Sequence, residues 1–347
     1  MKILYAIQGT GNGHISRARD IIPILQTKGE LDLLVSGTQA DVSLPYDIKY
    51  RLGGLSFIFG KKGGVDLYKT FKQAKSKRFV REIRSVPVES YDLIINDFEP
   101  VSAWACRLRK KACIGVSHQA AVLSPHAPQP DHTDLIGKMV LQSYAPVTTA
   151  YGFHFQAYDD HTYTPVIRRA VRQWQPTDEG HYTVYLPAYD DDHLLETLGK
   201  LGEVRWDVFS KHCAAPREIG NVSIQPVSNE AFVHSLTTCT GILCGAGFET
   251  PAEALFLQKK VMVVPMKNQY EQHCNAAALA HMGVPVIKKL KKKHLPAIKD
   301  WIRNGKVISV DYSDQTEEII NRVIAEQVAP RSPKGEKMLA DFGRRNS

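Results

Sequence analysis

Apolar residues in this chain gather in short continuous runs rather than in strict alternation. In the first half the runs are Lys2–Ile7, Leu31–Val35, Asp92–Asn96 and Ala112–Val116; in the second they are Thr183–Leu186, Arg205–Ser210, Val222–Ile224, Gly241–Cys244 and Val261–Val264. Runs of this kind suit parallel strands covered on both faces. Between them, apolar positions recur at helical spacing. Ile15, Ala18, Ile21, Ile22 and Leu25 share one face, and further helices are expected over 101–109, 192–201, 229–237 and 316–327, from Thr250, from Asn275 and over 335–342. Pro23 inside the first helix predicts a kink or an early end. Strand, turn and helix repeat in two series, which predicts an α/β chain of two halves. Thr177–Gly180 is the natural linker, so the expected domains are 1–176 and 181–315, with terminal helices in 316–347.

Composition narrows the class. The 347 residues are 43% hydrophobic and 23% charged, as in a water-soluble globular protein large enough for two cores. No apolar run approaches the ~20 residues that a membrane-spanning helix needs. The opening MKILYAIQGTGNGH runs straight into a glycine turn, unlike a signal peptide, so a cytoplasmic protein is expected. Cysteines 106, 113, 213, 239, 244 and 274 form no C-x-x-C pair and read as reduced structural thiols. His118, His126 and His132 match no common metal spacing, and neither a metal nor another cofactor is expected.

The net charge of +8 is concentrated. Residues 61–84 hold nine Lys or Arg against Asp66 and Glu82, and residues 288–299 hold six Lys and no acid. Two accounts stand: solvated helix faces, or an electropositive surface for anionic headgroups or an anionic acceptor, which would bring the protein to the inner face of a membrane. Nucleic acid is not expected, because no recognition module is visible in the chain. Between Gly53-Gly54 and Gly63-Gly64 the patch Leu55–Phe59 reads as a mobile loop.

Two loop sites carry candidate chemistry in the first half. Gln8-Gly-Thr-Gly-Asn-Gly-His14 follows the first strand but lacks the dinucleotide-binding glycine spacing. His14 either packs at the helix start or serves as a base, since an imidazole can take a hydroxyl proton at neutral pH. Asp97 stands at the carboxyl end of a strand, where sites in open sheets form; capping the next helix is its alternative role. Glu99 is a reserve acid, and His118, at the end of the following strand, is a candidate for the same cleft.

The most informative stretch is Gly245–Ala276, GAGFETPAEALFLQKKVMVVPMKNQYEQHCNA. Glycines let backbone N–H groups approach a phosphate, and the helix behind them adds favourable partial charge. Thr250 is placed to cap that helix, Pro251 to begin it, and Glu253 to sit three residues on. This stretch resembles the donor-binding motif of GT-B glycosyltransferases, the group of the UDP-glycosyltransferases and of the bacterial enzyme that adds N-acetylglucosamine to lipid I. The glycine turn closed by His14, and Asp97 before an aromatic residue and a Trp-Ala helix, are similar to the first domain of the same enzymes.

The resemblance implies two Rossmann-like domains facing across a cleft, with a nucleotide sugar, most simply UDP-linked, on the second. It gives Gly245, Ala246, Gly247 and Phe248 to the phosphates, places Thr250 in the same donor-binding set, and gives Glu253 to the ribose and Glu271 with Gln272 to the sugar hydroxyls. Glu271 stands where the family often has Asp or Gln, which leaves the sugar open. His14 would be the base for an acceptor hydroxyl, with Asp97 as its partner; Asn12, Glu99 and His118 would lie on the acceptor side. The terminal helices would return to the first domain, no metal would be needed, and an anionic or lipid-linked acceptor would fit the basic segments. A nucleotide-sugar 2-epimerase of the same fold, or a non-catalytic sugar-nucleotide binder, are the alternatives.

Overall fold

A computed structural model describes residues 1–10, 12–37, 44–55, 77–131 and 134–328. The patch at 56–59, most of the basic segment (61–76), His132 and the helix expected over 335–342 lie outside the described residues.

Each run of buried apolar residues becomes a strand. The first sheet contains β1 (Lys2–Gln8), β2 (Glu30–Ser36), β3 (Tyr50–Leu52), β4 (Leu93–Asp97), β5 (Ile114–Ser117), β6 (Thr149–Phe153) and β7 (Thr162–Tyr163). Its order is β3-β2-β1-β4-β5-β6-β7 and every pairing is parallel. The second contains β8 (His181–Tyr185), β9 (Arg205–Ser210), β10 (Arg217–Ile219), β11 (Val222–Pro226), β12 (Gly241–Gly245) and β13 (Lys260–Val264). Its order is β10-β11-β9-β8-β12-β13, and only β10 runs antiparallel to its neighbour. In both sheets the winding direction reverses once, between β1 and β4 and between β8 and β12. Crevices open at the carboxyl ends of such strands, so the fold offers two of them.

Helices cover both sheets. Helix α1 (Asn12–Gln26) buries Ile15, Ala18, Ile21, Ile22 and Leu25. It continues past Pro23 to Gln26, so the expected early end does not occur; the fully buried Ile21, Ile22 and Leu25 hold the last turns against the sheet. The next helices are α2 (Lys77–Ser85), α3 (Pro100–Leu108), α4 (His118–Val122), α5 (Leu135–Tyr144) and α6 (Arg169–Arg172). The second half adds α7 (Asp191–Leu198), α8 (Asn229–Thr238), α9 (Glu249–Phe256), α10 (Tyr270–His281), α11 (Leu295–Asn304) and α12 (Thr316–Val328). Helix α12 lies on the first domain: it buries Ile319, Ile320 and Val323 and receives the Tyr151 hydroxyl on Glu326 at 2.6 Å. Among the described residues no helix is long and apolar enough to cross a membrane. All six cysteines are buried and unpaired.

The two halves share an apolar contact. Phe248, at the start of α9, meets Phe155 at 5.2 Å between ring centroids and stacks on His118 at 3.9 Å. His118 also contacts Phe153 O through Nδ1 and Asn275 Oδ1 through Nε2, each at 2.8 Å. His154 lies edge-on to both His118 and Phe248. Its Nδ1 accepts the Phe155 N–H at 2.8 Å, which puts its own proton on Nε2. Burial and the nearby His118 hold the His154 pKa well below 6.5.

Two predictions follow from this packing. A Cβ on Gly152 would come within 2.5 Å of Ala121 Cβ and 2.6 Å of its Cα, so Gly152→Ala forces α4 away from β6. It should cost about 1–3 kcal/mol in chemical denaturation. His154 binds a proton in the unfolded chain near pH 6.5 but not in the folded one. Its contribution is therefore present above that pH and is lost as the pH falls below it, by up to about 1.4 kcal/mol per unit. Urea denaturation of wild type and His154→Asn, which keeps an acceptor, should show a shallower acid limb in the variant; parallel limbs would contradict this account.

Candidate active site

The first crevice is built by the turns after β1 and β4. Helix α1 starts immediately beyond the glycine turn and brings His14 and Arg17 to one face, three residues apart. The β4–α3 turn is tightly specified. Asn96 Nδ2 donates to Glu99 O and Asn96 Oδ1 accepts from Glu99 N, while Phe98 adopts φ 57°. A left-handed aromatic residue is costly, and the Phe98 ring is stacked on Tyr144 at 4.7 Å. The turn leaves Asp97 pointing at α1.

Asp97 is fully buried and shared by two partners. His14 Nδ1 lies 2.8 Å from Oδ1; Arg17 Nη2 donates to Oδ1 at 2.8 Å and to Oδ2 at 2.9 Å, and Nε reaches Oδ2 at 3.2 Å. Burial alone would raise the Asp97 pKa, but Arg17 and His14 outweigh it and hold the group below the usual carboxylate range. A carboxylate beside Nδ1 fixes the ring proton there. Nε2 then faces Gln119 Nε2 at 3.4 Å, and the same amide donates to Glu271 Oε2 at 3.1 Å. Histidine, amide and second-domain carboxylate thus form one row across the cleft.

The second crevice lies between the turns after β8 and β12. It holds a cavity of about 210 Å³ lined by Leu186, Tyr189, Gly245, Pro265, Lys267 and Gln272, among others. A larger hollow of about 530 Å³ lies between β13 and α11, but it carries none of the groups described here, and its size does not make it the site. Gly245, Ala246 and Gly247 lead from β12 to Phe248, and a Cβ on Gly247 would meet nothing within 4 Å, so this backbone is open to approach. Gln272 Oε1 accepts the Met266 N–H at 2.8 Å. Burial raises the pKa of Glu271.

Several expectations need correction. Helix α9 begins at Glu249 with Phe248 as its cap, so Thr250 and Pro251 stand in the first turn instead of starting it. Proline is tolerated there because its missing N–H has no helical partner. Helix α10 begins at Tyr270, ahead of the expected Asn275, and carries Glu271 and Gln272 in its first turn. Glu99 is not an acid facing the cleft: it caps α3 through Val101 N and Ser102 N, accepts from Ser36 Oγ, and is fully buried. The capping role considered for Asp97 therefore belongs to Glu99. His118 is buried between the halves, where burial pushes its pKa down to about 3 against the pull of two oxygens. Glu253 is 2% exposed and paired with the guanidinium of Arg168, outside the cavity lining. Asn12 is the half-buried first residue of α1.

Arg17, Gln119, Arg168 and Glu249 were missed by sequence reasoning. Arg17 carried a signal, its helical spacing from His14; the other three come to the site only through the fold. Arg17 Nη1 donates to Glu249 Oε1 at 2.5 Å from across the cleft. Burial pushes the Glu249 pKa up to about 7 despite that contact.

Known proteins share this fold. One solved structure, of UGT89C1 from Arabidopsis thaliana complexed with quercetin, is 10% identical, with a TM-score of 0.59 over 94% of this chain and all (100%) of that one. UGT2 from Phytolacca americana, complexed with UDP-2fluoro-glucose and pterostilbene, is 14% identical with a TM-score of 0.56 and 99% of each chain covered. MurG from Acinetobacter baumannii is 14% identical with a TM-score of 0.51, covering 99% of this chain and 100% of that one. At these identities the likeness is one of fold, and it is the GT-B arrangement. No curated protein matches the chain. The model of glycosyl transferase family 1 matches residues 1–304. The chain therefore belongs to glycosyl transferase family 1, as a glycosyltransferase that uses a nucleotide-sugar donor.

Proposed function

We propose that this enzyme moves a sugar from a UDP-linked donor to an acceptor hydroxyl with inversion at the anomeric carbon. The observation that carries the reading is the His14–Asp97 pair, 2.8 Å apart and joined through Arg17 to Glu249, just beyond the glycine loop after β12. Asp97 keeps the Nδ1 proton in place, and Nε2 removes the proton from the acceptor hydroxyl. The acceptor oxygen attacks the anomeric carbon from the side away from the diphosphate. The new C–O bond forms as the bond to the diphosphate oxygen breaks, and its electron pair leaves with the nucleotide. Backbone N–H groups from Gly245 to Phe248, with Thr250 and the positive end of α9, meet the charge that develops on the leaving group.

Residues 181–315 form the donor side in this proposal and residues 1–176 the acceptor side, closed by the returning helix of 316–347. Glu271 and Gln272 hold donor hydroxyls, and Glu253 turns from Arg168 to the ribose. Asn12 lies beside the acceptor. Leu135, Ile136 and Met139 of α5 are exposed at 73%, 57% and 59%, and α2 is rich in Lys and Arg. Together they suit an anionic or lipid-linked acceptor met by peripheral contact at the inner face of a membrane.

The test is UDP release from a panel of UDP-sugars with hydroxyl acceptors. His14→Ala should lower kcat by roughly 10²–10⁴-fold and leave donor affinity within about threefold, because it removes a proton acceptor and no donor contact. Asp97→Asn should also lower kcat. Near-normal turnover in His14→Ala would remove the base assignment. Donor isomerised without any acceptor would instead point to a 2-epimerase using Glu249 and Glu271, two of the carboxylates in the cleft.

A further inference from the structure

Glu249 is an odd neighbour for a site that receives a diphosphate. It begins α9, next to the glycine loop, and its carboxylate is held by a guanidinium from the other domain. That guanidinium is 1% exposed, and Asp97 already balances its charge. The charged and titratable groups around Glu249 are Arg17 and His14 on α1, Asp97 at the end of β4, Tyr5 on β1, Arg168 before α6, and Glu253 on its own helix. With Asp97 paired to Arg17 and Glu253 to Arg168, the third carboxylate, Glu249, is surplus in this set, which agrees with the upward push that burial gives its pKa. The place it occupies is nonetheless shaped for an oxyanion. A Cβ on Gly13 would lie 3.0 Å from Glu249 Cγ and 3.4 Å from Oε1, so a side chain there would press on this carboxylate, and glycine leaves its place open. Arg17 Nη1 points at the same oxygen.

We infer that the Glu249 carboxylate holds the position of a donor phosphate oxygen, and that the diphosphate displaces it from Arg17, which then touches the leaving group as a catalytic residue. This rests on the donor site proposed above at residues 245–248. Arg17 would supply positive charge from the acceptor-side domain to a leaving group bound by the other, and donor binding would exchange one cross-domain ion pair for another. Asp97 keeps Nε and Nη2, and Nη1 donates a charge-assisted hydrogen bond to the phosphate oxygen that the displaced carboxylate no longer contests.

The test is calorimetric titration of the full chain with UDP, inorganic diphosphate and uridine, using wild type, Glu249→Gln and Arg17→Lys. Glu249→Gln keeps the shape and removes the competing charge. It should tighten UDP and diphosphate by about tenfold and leave uridine within about twofold. The gain should persist at high salt, where a merely long-range charge effect is screened. Arg17→Lys should weaken UDP and diphosphate about tenfold and spare uridine; if that variant does not fold, Glu249→Gln decides alone. UDP bound equally by wild type and Glu249→Gln, or more weakly by the variant, would overturn the displacement and leave the donor site standing. Diphosphate tightened without any UDP binding would keep the displacement and overturn the nucleotide reading. No binding of either ligand would overturn both.

Discussion

The buried guanidinium of Arg17 is the constraint on which the arrangement of the cleft depends. A charge taken from water must be paired and hydrogen-bonded or the chain will not fold around it. Here the pairing is supplied by the end of β4 in one domain and the start of α9 in the other. That requirement fixes the rotation of α1, and with it the position of His14 three residues earlier. It also keeps Asp97 ionised despite complete burial, so that the carboxylate is able to orient the imidazole. Removing the guanidinium would leave Asp97 a buried, weakly compensated charge.

The same winding plan is used twice for different ends. In the first sheet the crevice between β1 and β4 is filled by polar side chains, His14, Arg17 and Asp97 among them. In the second the crevice between β8 and β12 keeps open backbone and a cavity. The division follows from the turns. Asn96, Phe98 and Glu99 lock the β4 turn so that one side chain is aimed with little freedom, whereas Gly245, Ala246 and Gly247 expose main chain. Phe248 and His118 join the two regions by stacking, so the glycine loop after β12 and helix α4 share a rigid contact.

Much of this was legible in the sequence because buried parallel strands leave continuous apolar runs; β9 has the bounds read from its pattern. The glycine turn at His14 and the stretch 245–276 named the two crevices. Short edge elements were not legible. Strands β7 and β10 are too brief to show a period, and β10 has all three residues exposed. The early start of α10 was hidden because its first turn is mostly polar in sequence although Tyr270 and Gln272 are buried there, and the apolar run that marks a helix begins only near Ala276. Glu99 and Asp97 could not be told apart as caps from composition, since either carboxylate can accept first-turn N–H groups. Arg17 meets Glu249 and Gln119 meets Glu271 across the two domains, and no local pattern encodes contacts between residues so distant in the chain.

The central claim is that the nucleotide diphosphate lies on the glycine loop of the second domain, facing the His14–Asp97 pair. Hydrogen–deuterium exchange on the full chain, with and without UDP, tests it most directly. The account predicts slower exchange at 245–250, 265–272 and 186–189, where backbone amides approach the nucleotide, with a smaller effect at 12–17 from the cross-domain contact. Protection confined to the first domain, or at the hollow between β13 and α11, would contradict it.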